Sequence, residues 1–361
     1  MKLFLIALLS LWTGSFSHAG VDDHIVSNQT VLESIELSPI SESLIAGTFP
    51  QFIDHAGTTA GTFNQRYWIN SDYATSFDAP IIFHICGEGN AEQGYFLNDN
   101  AVAWAKALGA RVVYLEHRYY GKSLPFADLS TEHMQYLTLN NVLEDLANFQ
   151  KLISANNGWM GKWIAVGGSY SGTLAALYRQ RHPELVVGAL ASSAPMISGI
   201  GQSVGTSFDV NYLSSIIPTS TSSARQWVYQ ACITFGFWQA MGPGYNATLE
   251  NPSPWLCQQL FGNVNLVDSH VYNQNYNLPF ISNSPQAPSN ILFTYGSADV
   301  WTKIGLSQQN NANPSIAIQM IQGAGHHEDL NPPKASDSAE IVKARNLFLD
   351  LMKKWLSQTP A

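Results

Sequence analysis

Charge is what this chain has least of. Asp, Glu, Lys and Arg make up 12% of its 361 residues, about half the share of an ordinary soluble protein. The 17 Lys and Arg are outnumbered by 26 Asp and Glu, leaving a net charge of −9, which argues against nucleic acid as a partner. Cysteine is scarce too. Cys86, Cys232 and Cys257 are too few for a disulfide framework. Past the first twenty residues no segment reaches about 18 uninterrupted apolar positions, so no membrane span is expected. No His/Cys cluster has metal-ligand spacing and no glycine-rich phosphate loop is found, so neither a metal nor a cofactor is expected. There is no internal repeat, and nothing in the sequence speaks to the oligomeric state.

The N-terminus is the exception to the shortage of apolar runs. Met1-Lys-Leu-Phe-Leu-Ile-Ala-Leu-Leu-Ser-Leu-Trp12 is a basic start followed by a short apolar stretch, and Ser17-His-Ala19 offers a small-residue cleavage site. This reads as a secretory signal peptide over residues 1–19. The expected destination is secreted, periplasmic or lysosomal, where Cys232 and Cys257 would be free to pair. Asn28-Gln-Thr30 and Asn246-Ala-Thr248 are glycosylation sequons.

The chemistry begins at Trp163-Ile-Ala-Val-Gly-Gly-Ser-Tyr-Ser-Gly172. An apolar strand candidate runs into a glycine-flanked serine, and a helix-compatible stretch follows. That is the layout of a nucleophile elbow, whose tight turn lifts the Ser169 hydroxyl out of the sheet. A strict motif has glycine at position 171, where this chain has the small residue Ser171. A serine nucleophile needs a base and a group to orient it. Two later apolar runs supply candidates. Asn290 to Gly296 leads to Asp299, and Ser315 to Ile321 leads to the pair His326-His327. The order Ser169, Asp299, His326 is that of α/β-hydrolases, not of chymotrypsin-like or subtilisin-like enzymes. On the residues alone either histidine of the pair serves as the base.

The remaining pattern agrees with an α/β-hydrolase fold with a mostly parallel sheet. Strands are expected at 80–85, 110–115, 162–166, 186–191, 290–295 and 315–321, with helices between them. Helical faces are formed by Leu139, Val142, Leu143, Leu146, Phe149, Leu152 and Ile153, and by Ile341, Ala344, Phe348, Leu351 and Trp355. Residues 20–75 read as irregular with a few strand-like pieces. The core is expected over 20–196 and 287–361. Residues 197–286 break its rhythm with many aromatics, Asn and Ser, and read as a shortened cap insertion over the active site.

Several separated blocks resemble the family of Pro-Xaa serine carboxypeptidases that includes prolyl carboxypeptidase and dipeptidyl peptidase II. They are Glu116-His-Arg-Tyr-Tyr-Gly-Lys-Ser-Leu-Pro-Phe126, the elbow at Gly167–Gly172, Leu185 to Pro195, Trp227 to Gln239, Asp299-Val-Trp301 and Gly325-His-His-Glu-Asp-Leu330. The resemblance implies His326 as the base and a peptide beside proline as substrate. This chain departs from the family pattern at Val300, where proline is common, and at Thr234, near which an acidic residue is expected. The stretch between elbow and aspartate is also short for the family.

The expected reaction is acyl transfer through a Ser169–His326–Asp299 triad in a secreted serine exopeptidase. The oxyanion would be held by the backbone N–H of Tyr170, the residue after the nucleophile, and by one from the glycine-rich loop at Gly87. Glu88, beside that loop, is a candidate to receive a substrate's N-terminal ammonium. Trp227, Phe237 and Trp238 are candidates for an apolar proline slot. Arg225 is the one Lys or Arg of the insertion, and a terminal carboxylate would need such a cation. That shortage favours release of N-terminal dipeptides over carboxypeptidase action. The competing readings are a secreted esterase or lipase on the same fold, and a non-catalytic binding protein that retained it.

Overall fold

The structure, a computed structural model, describes residues 44–91, 96, 99–203, 223–240, 253–282, 287–307 and 311–358. Of residues 199–203, 238–240 and 253–255 only the backbone course is described. The expected signal peptide, its cleavage site and both sequons lie outside these residues.

The chain opens with two nine-residue strands, β1 (Leu44–Phe52) and β2 (Thr62–Asn70), paired antiparallel as a hairpin. Then come β3 (Ile81–Ile85), α1 (Asn100–Leu108) and β4 (Arg111–Leu115). A short helix α2 (Thr131–Met134) precedes the long α3 (Leu139–Asn157), which leads through β5 (Trp163–Gly168) and α4 (Tyr170–Arg181) to β6 (Val186–Ser192). The sheet order is β1-β2-β4-β3-β5-β6, continued by β9 (Ile291–Gly296) and β10 (Ile316–Ile321). From β4 to β10 every pairing is parallel. This crossed-over parallel sheet is the α/β-hydrolase fold.

Burial explains the apolar runs. Every residue of β3, β4, β5 and β9 is buried, as expected where both faces of a parallel sheet are covered. Successive side chains divide between the faces. Phe83, Ala165, Ala189 and Phe293 join the layer containing α3 and α4. Ile82, Ile164, Leu190 and Leu292 join the layer of α1 and the final helix, which spans Ala339–Ser357. Two helical faces differ from expectation in one position each. Leu152 is exposed at 42% at the edge of the α3 stripe, and Met352 rather than Leu351 is buried in the final helix.

Between β6 and β9 lies the insertion. Its described parts are β7 (Gly199–Ser203), α5 (Ala224–Gln230) running into a π-helical turn (Ala231–Phe235), β8 (Phe237–Ala240), α6 (Ser253–Phe261), α7 (Ser269–Tyr272) and α8 (Leu278–Ile281). Strands β7 and β8 pair with each other in a separate two-stranded sheet. Cys232 and Cys257 form a disulfide, with Cα atoms 5.8 Å apart, that ties the π-helical turn to α6. The final helix of the chain is α9 (Ala339–Ser357).

Candidate active site

Ser169 is the single residue between the end of β5 and the start of α4. Its backbone has φ 58° and ψ −134°, in a region that L side chains rarely occupy and that costs about 1–3 kcal/mol. The surroundings hold it there. The Ser169 N–H donates to the Ser192 carbonyl at 2.8 Å, and the Ser169 carbonyl accepts from Gly172 and Thr173. A Cβ on Gly167 would come within 2.0 Å of the Ser171 carbonyl oxygen, so the strand can turn into the helix only with glycine there. Ser171, which replaces a motif glycine, fits the turn by local bonding. Its Oγ donates to the Gly168 carbonyl at 2.7 Å and accepts from the Gly168 N–H at 3.1 Å.

The aspartate and histidine come together on adjacent loops at the ends of β9 and β10. Gly296 permits this approach, since a Cβ on it would meet the Ala324 and Gly325 carbonyl oxygens at 2.3 and 2.4 Å. Ala298 N–H donates across to the Ala324 carbonyl. His326 Nδ1 then lies 2.9 Å from Asp299 Oδ1, and an N–H there leaves Nε2 as the acceptor a base requires. The Asp299 side chain is fully buried, while that of His326 retains 22% exposure. Burial alone would raise the Asp299 pKa. The bonded, positively chargeable His326 and the N–H of Trp301 outweigh it, and the carboxyl is held below its ordinary value.

The histidine loop is fastened to the same strand end as the nucleophile. His327 N–H donates to Ser193 Oγ at 2.8 Å, one residue beyond the carbonyl that holds Ser169. The buried Asp329 carboxylate accepts from Ser192 Oγ and from Thr294 Oγ1, bridging β6 and β9; burial raises its pKa. His327 adopts φ 37°, and its ring packs 4.6 Å from that of His326 and against Gly168. Burial, with His326 beside it, lowers the His327 pKa to about 3, so it stays neutral. The two members of the pair thus sit in different surroundings: one touches Asp299, the other is half-buried against Gly168 with its Nδ1 closed off from solvent. Ser169 Oγ makes no hydrogen bond to His326 in this arrangement. Catalytic contacts of this kind commonly tighten only when substrate binds.

Tyr170, as the first residue of α4, has no carbonyl one turn back within the helix to receive its N–H. Gly87 lies in the loop after β3, which is held in place by Glu116. The Glu116 carboxylate accepts from Ala91 N–H, Ser123 Oγ, Lys122 N–H and the Arg66 guanidinium. Gly121 is required beside it, because a Cβ there would come within 2.0 Å of Glu116 Oε1. Much of the Glu116–Phe126 block is therefore scaffolding for the loop that carries Gly87 and Glu88. Trp227 is half-buried against Tyr170, Phe235 and Trp301. Phe237 is 1% exposed, stacked on Phe235 with Tyr272 at its edge; its ring is part of the insertion's interior and leaves no face for a proline slot. Trp238 lies in β8, and its side chain falls outside the described residues.

The model of the serine carboxypeptidase S28 family matches residues 51–201 and 202–348. The chain belongs to that family. Serine protease vicPb of Bipolaris victoriae is 30% identical over 337 residues, 88% of this chain and 53% of that protein. Human lysosomal Pro-X carboxypeptidase is 38% identical over 184 residues, 48% of this chain and 35% of the other. Mouse thymus-specific serine protease is 42% identical over 137 residues, 37% and 27% of the two chains. The matched stretches thus cover about half or less of these relatives' own lengths.

Proposed function

We propose that this S28 family member is a serine exopeptidase that hydrolyses short peptides, beside proline, through an acyl-enzyme on Ser169. The observation that carries this is the convergence of the strained Ser169 turn and the Asp299–His326 pair on the end of β6, through Ser192 and Ser193. His326 Nε2 takes the proton of the Ser169 hydroxyl as it attacks the peptide carbonyl, then gives that proton to the departing amine. Asp299 keeps the imidazole in the productive tautomer and stabilises its charged form. The N–H groups of Tyr170 and Gly87 receive the oxyanion. Losing one such donor typically costs about 3 kcal/mol of transition-state stabilisation. Residues 197–286 act as the cap that restricts entry to a chain end, and Trp227 presents an apolar face to the proline ring. The Cys232–Cys257 disulfide supports an oxidising location, secreted, periplasmic or lysosomal.

The test compares one proline-containing peptide free, N-acetylated and C-amidated. Loss of cleavage on blocking one end is the expected result, and it identifies the end recognised. Efficient cleavage with both ends blocked would overturn the exopeptidase reading, and turnover of esters but no peptide would favour the esterase alternative.

A further inference from the structure

The phenol of Tyr170 ends in a buried hydrogen-bonded chain that runs in one direction. His117 Nδ1 lies 2.6 Å from the Arg118 carbonyl and so carries the imidazole proton, which leaves Nε2 as the acceptor for the Tyr170 hydroxyl at 3.3 Å. Burial lowers the His117 pKa to about 4, so the ring stays neutral. With its own proton given to His117, Tyr170 Oη accepts from Gln230 Nε2 at 2.8 Å. Gln230 Oε1 accepts in turn from the Tyr120 hydroxyl at 2.6 Å. All four side chains are buried. Both ends of the Gln230 amide are committed, and its orientation is thereby fixed.

Gln230 belongs to the insertion, and the rest of α5 is fastened to the same part of the core. Arg225 donates to the Leu129 carbonyl and Gln226 to the Tyr119 carbonyl. Gln230 ends α5, and the π-helical turn begins at the next residue. That turn brings the Phe235 ring to 5.1 Å from the Tyr170 ring. Trp227 of α5 and His117 complete the wall at 6.1 and 5.5 Å. Tyr170 is thus packed along its ring and held at its tip. Its other end is the peptide that joins it to Ser169, whose N–H has no acceptor within the helix. A side chain fixed at ring and tip fixes the direction of that N–H before substrate arrives, which is the condition for effective oxyanion stabilisation.

We propose that Gln230 is a positioning residue for the nucleophile elbow: through Tyr170 Oη it aims the Tyr170 N–H at the oxyanion. The inference rests on the acyl-transfer reading of Ser169 and goes beyond it, because it makes the insertion a working part of the elbow as well as a cap. The core supplies the serine and the donor, and the insertion supplies the side chain that holds the donor in place. Gln230 acts at one remove from the reacting atoms, so its loss should fall on the transition state: kcat drops and KM changes little. A misdirected donor costs less than a missing one, and a loss of about 10- to 100-fold is expected.

Gln230→Met keeps the length of the side chain and removes both hydrogen bonds. Tyr170→Phe keeps the ring and the backbone N–H and removes only the oxygen through which Gln230 acts. Each should lower kcat on a proline-containing peptide about 10- to 100-fold with KM little changed. The double variant should be no worse than the more affected single one, because both substitutions break the same link. The rate at which a fluorophosphonate labels Ser169 should fall by a similar factor, while the final extent of labelling stays complete. Wild-type rates in both single variants, or a double variant whose loss is the product of the two, overturn the proposal. So does a reduced extent of labelling at an unchanged rate, which would mean that the variants merely unfold. If Gln230→Met does not fold, Tyr170→Phe decides: full activity in it overturns the proposal. Labelling needs the serine, its base and the oxyanion donors but no peptide. A chain labelled at Ser169 that cleaves no peptide would therefore refute the exopeptidase reading, and the labelling rates would still uphold or overturn the role of Gln230.

Discussion

Ser169 and Ser171 stand two positions apart and carry the same hydroxyl, yet their surroundings give them different chemistry. The Ser171 hydroxyl is closed onto both backbone groups of Gly168, whereas Ser169 sits at the strained turn. A fluorophosphonate probe should label the wild type and Ser171→Ala but not Ser169→Ala. Labelling retained in Ser169→Ala would refute the triad. The histidine pair divides in the same way. His326→Ala should lower kcat by several orders of magnitude, leaving only binding and the oxyanion donors. His327→Ala should be much milder, because that ring is neutral and the Asp299 bond is made by His326. Equal losses would refute this division of roles. Ser169, Asp299 and His326 were legible because each follows an apolar strand in one chain order. Ser193, Asp329 and Gln230 were not, although all three lie in or beside recognisable blocks. Their roles are contacts between segments 30 to 140 positions apart, and a linear pattern does not reveal which buried polar groups will meet.

Elements were read well where one period dominated. Helix Asn100–Leu108 falls where a helix was expected, between the strands at 80–85 and 110–115, and the parallel strands differ from expectation by one or two positions at their ends. The antiparallel hairpin of β1 and β2 was expected only as irregular chain with strand-like pieces. Its burial alternates and much of its surface is polar, so it lacks the continuous apolar signal of the central strands. The insertion was legible as a break in rhythm rather than as elements, because its short helices are stabilised by tertiary contacts and by the disulfide. Cys232 and Cys257 are 25 positions apart, and closing a loop of that length is worth roughly 3 kcal/mol in the loop-entropy model. Cys257→Ser should lower the unfolding free energy by about that amount, measured by denaturant titration. The loss should be larger if the vacated, fully buried Cys257 site leaves an unsatisfied hydroxyl. A variant as stable as the wild type would mean that the bridge contributes nothing to the insertion.

At the scale of the whole molecule, the buried titratable groups that shape the site also set how the fold responds to acid. His117 is buried and His327 half-buried, and both are neutral, with pKa values lowered to about 4 and about 3. Once unfolded they bind protons at about pH 6.5. Their contribution is therefore complete above pH 6.5 and declines as the pH falls towards their folded values. Glu88 acts in the opposite sense. Its folded pKa of about 7 exceeds the ordinary carboxyl value, so its contribution is complete at low pH and is lost as the pH rises from about 4.5 to 7. Burial of Asp329 acts in the same direction as Glu88. Between about pH 6.5 and 4.5 the two histidines oppose Glu88 and set the sign, so the fold should lose stability as the pH falls. Glu88→Gln removes the offset, so its melting temperature should fall more steeply over that interval than that of the wild type. His117→Gln removes one of the two opposing sites and should flatten the profile. Thermal melts at half-unit pH steps from 7 to 4.5 test both. Three parallel profiles would show that these groups titrate alike in the folded and unfolded chain.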